Sequence, residues 1–107
     1  MEKEEYYLRL LEDVNSCFVD IFQSGFDTIG DGTLGEVARL SALVNKSGMS
    51  YLSKLCNEFE KKVRTNRLVV AEDDATLTNI YFEIINYIKK AKSKVTYDNV
   101  KKQYFEE

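Results

Sequence analysis

Apolar residues return along this chain at intervals of three and four, segment after segment, and few folds accept that spacing. Tyr7, Leu11, Val14, Phe18 and Ile21 are separated by four, three, four and three positions. A helix turns once every 3.6 residues, so such a series lies on one face, whereas a half-buried strand needs strict alternation. Leu10, Cys17 and Phe22 widen the stripe. The spacing predicts a helix over 4–24, closed by Gly25, because glycine accepts the backbone conformation common just past a helix end.

Three further stripes follow. Leu34, Val37, Leu40 and Val44 line the second, with Ala38 and Leu43 beside them. Thr33 and Glu36 have the spacing of a capping box and set its start at Thr33. Its end is expected between Asn45 and Gly48. Leu52, Leu55, Phe59 and Val63 form the third stripe, with Cys56 adjacent and Ser50 as its cap. The run Asn66–Ala71 fits either a longer helix or a short extended piece, since Val69 and Val70 are β-branched. Glu72, Asp73 and Asp74 make an acidic turn, and Asp73 or Asp74 would cap the next helix. That helix carries Leu77, Ile80, Ile84, Ile88 and Ala91, flanked by Tyr81 and Ile85. Thr96 is read as the cap of a short fifth helix bearing Tyr97, Val100 and Tyr104.

Stripe, start signal and stop signal agree in each segment. They predict an all-α fold: a small four- to five-helix bundle with antiparallel neighbours joined by short loops, one domain over residues 1–107. The expected core is Leu11, Val14, Phe18, Ile21, Val37, Leu40, Leu52, Leu55, Phe59, Leu77, Ile80, Ile84 and Ile88. With 44% apolar and 31% charged residues the chain has the balance of a folded domain, not of a disordered one. It has no proline, which suits long helices. No apolar run approaches the ~20 residues of a membrane span, and the acidic start is unlike a signal peptide, so no membrane association is expected. Cys17 and Cys56 both fall in apolar helical patterns. They are expected as reduced thiols, which implies a cytoplasmic protein.

Two motifs deserve a chemical test. The loop Asp27-Thr28-Ile29-Gly30-Asp31-Gly32 resembles the start of an EF-hand calcium loop. The third ligand position, however, is Ile29, and the twelfth is Ala38 where a bidentate glutamate is needed, so no metal site is expected. Thr33-Leu34-Gly35-Glu36-Val37-Ala38-Arg39-Leu40-Ser41 resembles the opening of bacterial repressor helix-turn-helix motifs. The link from Leu43 to Met49 reads as longer than the motif's turn of about 3–4 residues. The net charge of −3 also runs against phosphate binding.

Charge is unevenly spread. Residues 1–50 hold four bases and nine acids, residues 51–107 eleven bases and nine acids. The basic excess concentrates in 86–104, where Lys89, Lys90, Lys92, Lys94, Lys101 and Lys102 interleave with Tyr87, Tyr97 and Tyr104. The acid pairs Glu4/Glu5, Glu12/Asp13, Asp73/Asp74 and Glu106/Glu107 all fall on polar faces or ends. A catalytic acid needs burial to shift its pKa. The chain has no histidine, which removes Ser-His and Cys-His nucleophiles. Neither catalysis nor a cofactor is expected. The remaining reading is a protein-binding module, an adaptor, regulatory subunit, inhibitor or immunity-type protein. Tyr81, Ile85, Phe22, Tyr97 and Tyr104 are its candidate partner surface. The wide stripes of the first and fourth helices suggest a homodimer, unless the fifth helix folds back over them. The alternative is a nucleic-acid-binding accessory protein using the helix-turn-helix-like segment 33–62 or the lysines of 86–104.

Overall fold

A computed structural model describes residues 2–68 and 75–105. It contains four α-helices: α1 Glu2–Ser24, α2 Asp31–Lys46, α3 Ser50–Leu68 and α4 Ala75–Phe105. A single 3₁₀ turn, Phe26–Thr28, joins α1 to α2, and no strand occurs among the described residues. Consecutive helices pack side by side, and α4 returns to α1, closing an up-down-up-down ring.

The helix ends explain the turns. Gly25 sits at φ 96° and its N–H donates to the Ile21 carbonyl, ending α1 as expected. The end of α2 is a complete Schellman motif. Met49 N–H reaches back to Val44 O at 2.9 Å, Gly48 N–H to Asn45 O at 3.1 Å, and Gly48 takes φ 89°. Met49 then packs against the core that contains Val44.

Four boundaries differ from what the spacing predicts, the first being that α1 starts at Glu2 rather than at residue 4. Helix α2 begins at Asp31, with extended Gly30 as its N-cap, so Thr33 lies inside the first turn and its capping box is not used. Two groups favour the earlier start. Asp31 places a negative charge in the first turn, and Arg67 from α3 binds Asp31 Oδ1 at 2.5 Å and Ile29 O at 2.6 Å. Ser50 is the first residue of α3, and Met49 O accepts the first bond, from Ser53 N–H. The fifth helix is not separate: α4 is unbroken through Thr96. No glycine or proline follows Gly48, so nothing in the chain stops that helix. The fold-back of a fifth helix over α1 and α4 is thereby removed. Asn66, Arg67 and Leu68 are helical, and Val69–Asp74, with the acidic turn, lie outside the described residues.

Every expected core residue is buried except Ile80, which is partly buried against the same cluster. Leu10, Leu34, Val44, Cys56, Val63 and Tyr81 join them. One polar seam crosses the interior. The Ser41 hydroxyl on α2 lies 2.9 Å from Ser53 Oγ, 2.8 Å from Asn57 Oδ1 and 3.2 Å from Ser53 O on α3. Ser41 can donate one proton and accept one from Ser53, so the buried hydroxyls are satisfied.

The core is short and two helices overrun it. No described side chain is buried before Leu10 on α1 or after Ile88 on α4. The molecule measures 58 × 22 × 21 Å, and α4 alone spans about 46 Å at 1.5 Å per residue. The start of α1 and the second half of α4 therefore project as a two-helix extension.

Candidate functional site

The sequence pattern that positions the core of α1 and α4 also leaves a second row on each. On α1 the row is Glu5, Leu8, Glu12, Asn15, Val19 and Phe22, spaced three, four, three, four and three. On α4 it is Thr78, Phe82, Ile85, Lys89, Lys92 and Thr96, spaced four, three, four, three and four. Each row follows one face of its helix, turned away from the core stripe. Two contacts tie the rows together in antiparallel register. Phe22 and Phe82 bring their ring centroids to 6.4 Å, and Lys92 Nζ lies 3.6 Å from Glu12 Oε1.

At one end this outer face is aromatic. Phe22 is 47% exposed and Phe82 51% exposed. Phe22 stacks on Tyr81 at 4.7 Å and meets Phe26 edge-on at 5.9 Å. Phe26 in turn packs on Phe59, and Phe59 on Phe18 at 5.0 Å. The exposed rings are thus the outer members of a ladder rooted in the core, which fixes their positions. Val19 and Ile85 continue the patch, both partly buried. Towards the extension the face becomes charged, with Glu5 and Glu12 on α1 and Lys89 and Lys92 on α4.

The structure redistributes the expected partner surface. Phe22 is half-exposed and Ile85 partly buried, and both lie on the outer face. Tyr81 is only 7% exposed and lies beneath Phe22, so it supports the patch rather than forming it. Tyr97 is 66% exposed but lies farther along α4, away from the aromatic end. The Tyr104 side chain lies outside the described residues. Phe82 escaped the sequence reading because it falls between core positions, although its place in the row from Thr78 to Thr96 is readable from spacing.

The lysines fall into two groups. Lys89 and Lys92 belong to the outer face, while Lys90, Lys94, Tyr97 and Lys101, at spacings of four, three and four, share another. Lys90, Lys94, Tyr97 and Lys101 are exposed; Lys102 lies outside the described side chains. The segment 33–62 is not arranged as a helix-turn-helix. Its turn, Ser47–Met49, is shorter than the sequence suggested. Its helices pack antiparallel, as Asp31–Arg67 at one end and Ser41–Ser53 along the pair show. A helix-turn-helix crosses far more steeply.

A cleft of about 500 Å³ lies between α1 and the start of α2, with Asp13, Asp20, Glu36 and Cys17 in its walls. Arg39 binds Glu36 through a 2.6 Å contact and holds its carboxyl below the ordinary range, so Glu36 is a poor proton donor at neutral pH. Burial, aided by Glu36 and Asp20, pushes the Cys17 thiol up to about 11, and burial pushes Cys56 up to about 12. Both thiols are free and protonated at neutral pH, which leaves them weakly nucleophilic. In the calcium-like loop Asp31 is engaged by Arg67. No group of three potential metal ligands converges among the described residues, and no helix there is long and apolar enough to cross a membrane. Compared with models of known families, with curated proteins and with solved structures, the chain shows no match.

Proposed function

We propose that this chain is a non-enzymatic, cytoplasmic protein-binding module that works through the outer face of α1 and α4, where it takes up a protein partner and forms a homodimer. The observation that carries this reading is the pair Phe22 and Phe82. Two half-exposed phenylalanines lie side by side, both packed on the buried Tyr81 and flanked by the partly buried Val19 and Ile85. Aromatic anchors seated in a polar rim are the usual make-up of a protein interface. The two free cysteines fit a reducing compartment.

The test is capture of proteins on the immobilised chain, read by mass spectrometry against a Phe22→Ser/Phe82→Ser variant. Support is a set of proteins, the chain's own second copy included, retained by the natural sequence and lost with the variant. Equal retention by both would refute the face.

One observation favours a second reading, nucleic-acid binding along α4. Lys90, Lys94, Tyr97 and Lys101 lie on one face, and an exposed tyrosine among lysines offers stacking and charge together. A gel-shift assay at low and moderate salt decides it. A shift abolished by Lys90→Glu/Lys94→Glu supports this reading, and no shift at low salt removes it.

A further inference from the structure

We propose that the occupant of the outer α1–α4 face is a second copy of the chain, related by a two-fold axis parallel to the helices, so that α1 of each copy lies over α4 of the other. The inference rests on the reading that this face binds protein, and it specifies the partner and its orientation.

The argument is one of complementarity. Two copies meeting face to face across antiparallel helices have two symmetric choices. With the axis across the helices, α1 covers α1 and α4 covers α4. The α1 row carries Glu5 and Glu12 and no base, and the α4 row carries Lys89 and Lys92 and no acid. That choice also turns the second face end for end, so the charged end of each row lies over the aromatic end of the same row in the other copy and neither end meets a complement. With the axis along the helices, each α1 row lies over an α4 row at the level it already keeps within its own chain. Phe22 then comes level with the second copy's Phe82, Val19 with its Ile85, and Glu12 with its Lys92. Both the apolar end and the charged end find their complements. Acid rows facing base rows select partner and register.

The face is also large enough. It is about 34 Å long, from the 23 residues of α1 at 1.5 Å each, and close to the 22 Å width of the bundle. That is roughly 700 Å² per copy, near the ~800 Å² that each partner contributes to an interface of standard size. Its spacing of three and four suits helices that pack side by side.

Sedimentation equilibrium is the first measurement. The natural sequence should sediment at twice the 12.4 kDa chain mass at tens of micromolar. A single-chain mass at 200 µM overturns the proposal, while capture of a different protein by the same face would leave the functional reading standing. Phe22→Ser/Phe82→Ser should weaken the dimer at least a hundredfold with circular dichroism unchanged. A dimer that survives it lies elsewhere and also overturns the proposal. Orientation is read from Lys89→Glu/Lys92→Glu. With α1 over α4 this variant sets acid over acid and weakens self-association at least tenfold at low salt. Mixing it with a Glu5→Lys/Glu12→Lys variant restores association. If the lysine variant alone associates as tightly as the natural chain, like helices cover like and the proposed axis is wrong.

Discussion

Replacing Phe59 by alanine is the sharpest probe of the core. Its side chain is fully buried on α3. It meets Phe18 of α1 edge-on at 5.0 Å, with the planes at 83°, and Phe26 of the 3₁₀ turn at 5.7 Å. Truncation removes the transfer free energy of a buried ring and both edge-to-face contacts. It also leaves a cavity between two helices and the turn that closes them. Large-to-small changes of this kind cost about 3–5 kcal/mol. A domain of this size has on the order of 5–15 kcal/mol in total, so Phe59→Ala should remove a third or more of it. At about 4–8 °C per kcal/mol the melting temperature should fall on the order of 20 °C. The companion change is Phe82→Ala, at the other end of the same ladder. Phe82 is half-exposed, so it should cost under about 1 kcal/mol when measured at sub-micromolar concentration, away from self-association. The assay is urea denaturation followed by circular dichroism. Equal losses for the two, or a loss below about 1 kcal/mol for Phe59, would refute the placement of the aromatic ladder.

Glycine behaviour should split by position. Gly25→Ala should destabilise by about 1–3 kcal/mol, because the site holds φ 96° and a Cβ would come 3.0 Å from Asp27 Oδ1. Gly35→Ala, inside α2 with nothing near its Cβ, should stabilise by about 0.5–1 kcal/mol. Thermal melts of both variants check this pair. Alkaline stability should follow the thiols. Their folded pKa values of about 11 and about 12 lie above the ordinary 9.0, so the unfolded chain ionises first. Their contribution is whole below pH 9 and is lost as pH rises through about 11 for Cys17 and about 12 for Cys56. A Cys17→Ala/Cys56→Ala variant should therefore show a shallower fall in stability between pH 9 and 11, and an identical slope would contradict the assignment.

The core was legible because burial and spacing are one fact: a stripe at three and four has nowhere else to go. The end of α2 was legible to within a few residues, since its stripe stops at Val44 and Gly48 follows four positions on. What the sequence does not show depends on partners distant along the chain or on signals that are ambiguous alone. Thr33 and Glu36 have capping-box spacing, but Arg67, more than thirty residues away, binds Asp31 and Ile29 and favours a start two residues earlier. Thr96 has the chemistry of a cap, but no breaker accompanies it, and a threonine alone does not end a helix. Tyr81 and Phe22 both looked like flanks of wide stripes. Only the packing of α1 against α4 decides that one covers the other.

The uneven charge along the sequence acquires a meaning in three dimensions. The acids cluster towards the start of α1 and the lysines towards the end of α4, and the antiparallel pairing sets these segments side by side. Glu12 and Lys92 mark the junction, and the last buried residues, Leu10 on α1 and Ile88 on α4, lie within about a turn of them. Past that point the extension has no apolar core, and only partly buried groups such as Tyr7, Leu8 and Val95 supplement opposite charge. Unit charges about 10 Å apart in water attract by only ~0.4 kcal/mol, and physiological salt screens them over ~8 Å. Such attractions are small singly and add up only over the several acids and lysines that the antiparallel pairing brings near one another. The extension should therefore loosen with salt while the core, held by burial, does not. Hydrogen exchange gives the measurement: amides of residues 4–9 and 93–101 should exchange several-fold faster in 1 M than in 20 mM sodium chloride, with those of Val14–Ile21 and Leu52–Phe59 unchanged. Uniform exchange rates in both salts would mean that packing, not charge, holds the two helices together beyond the core.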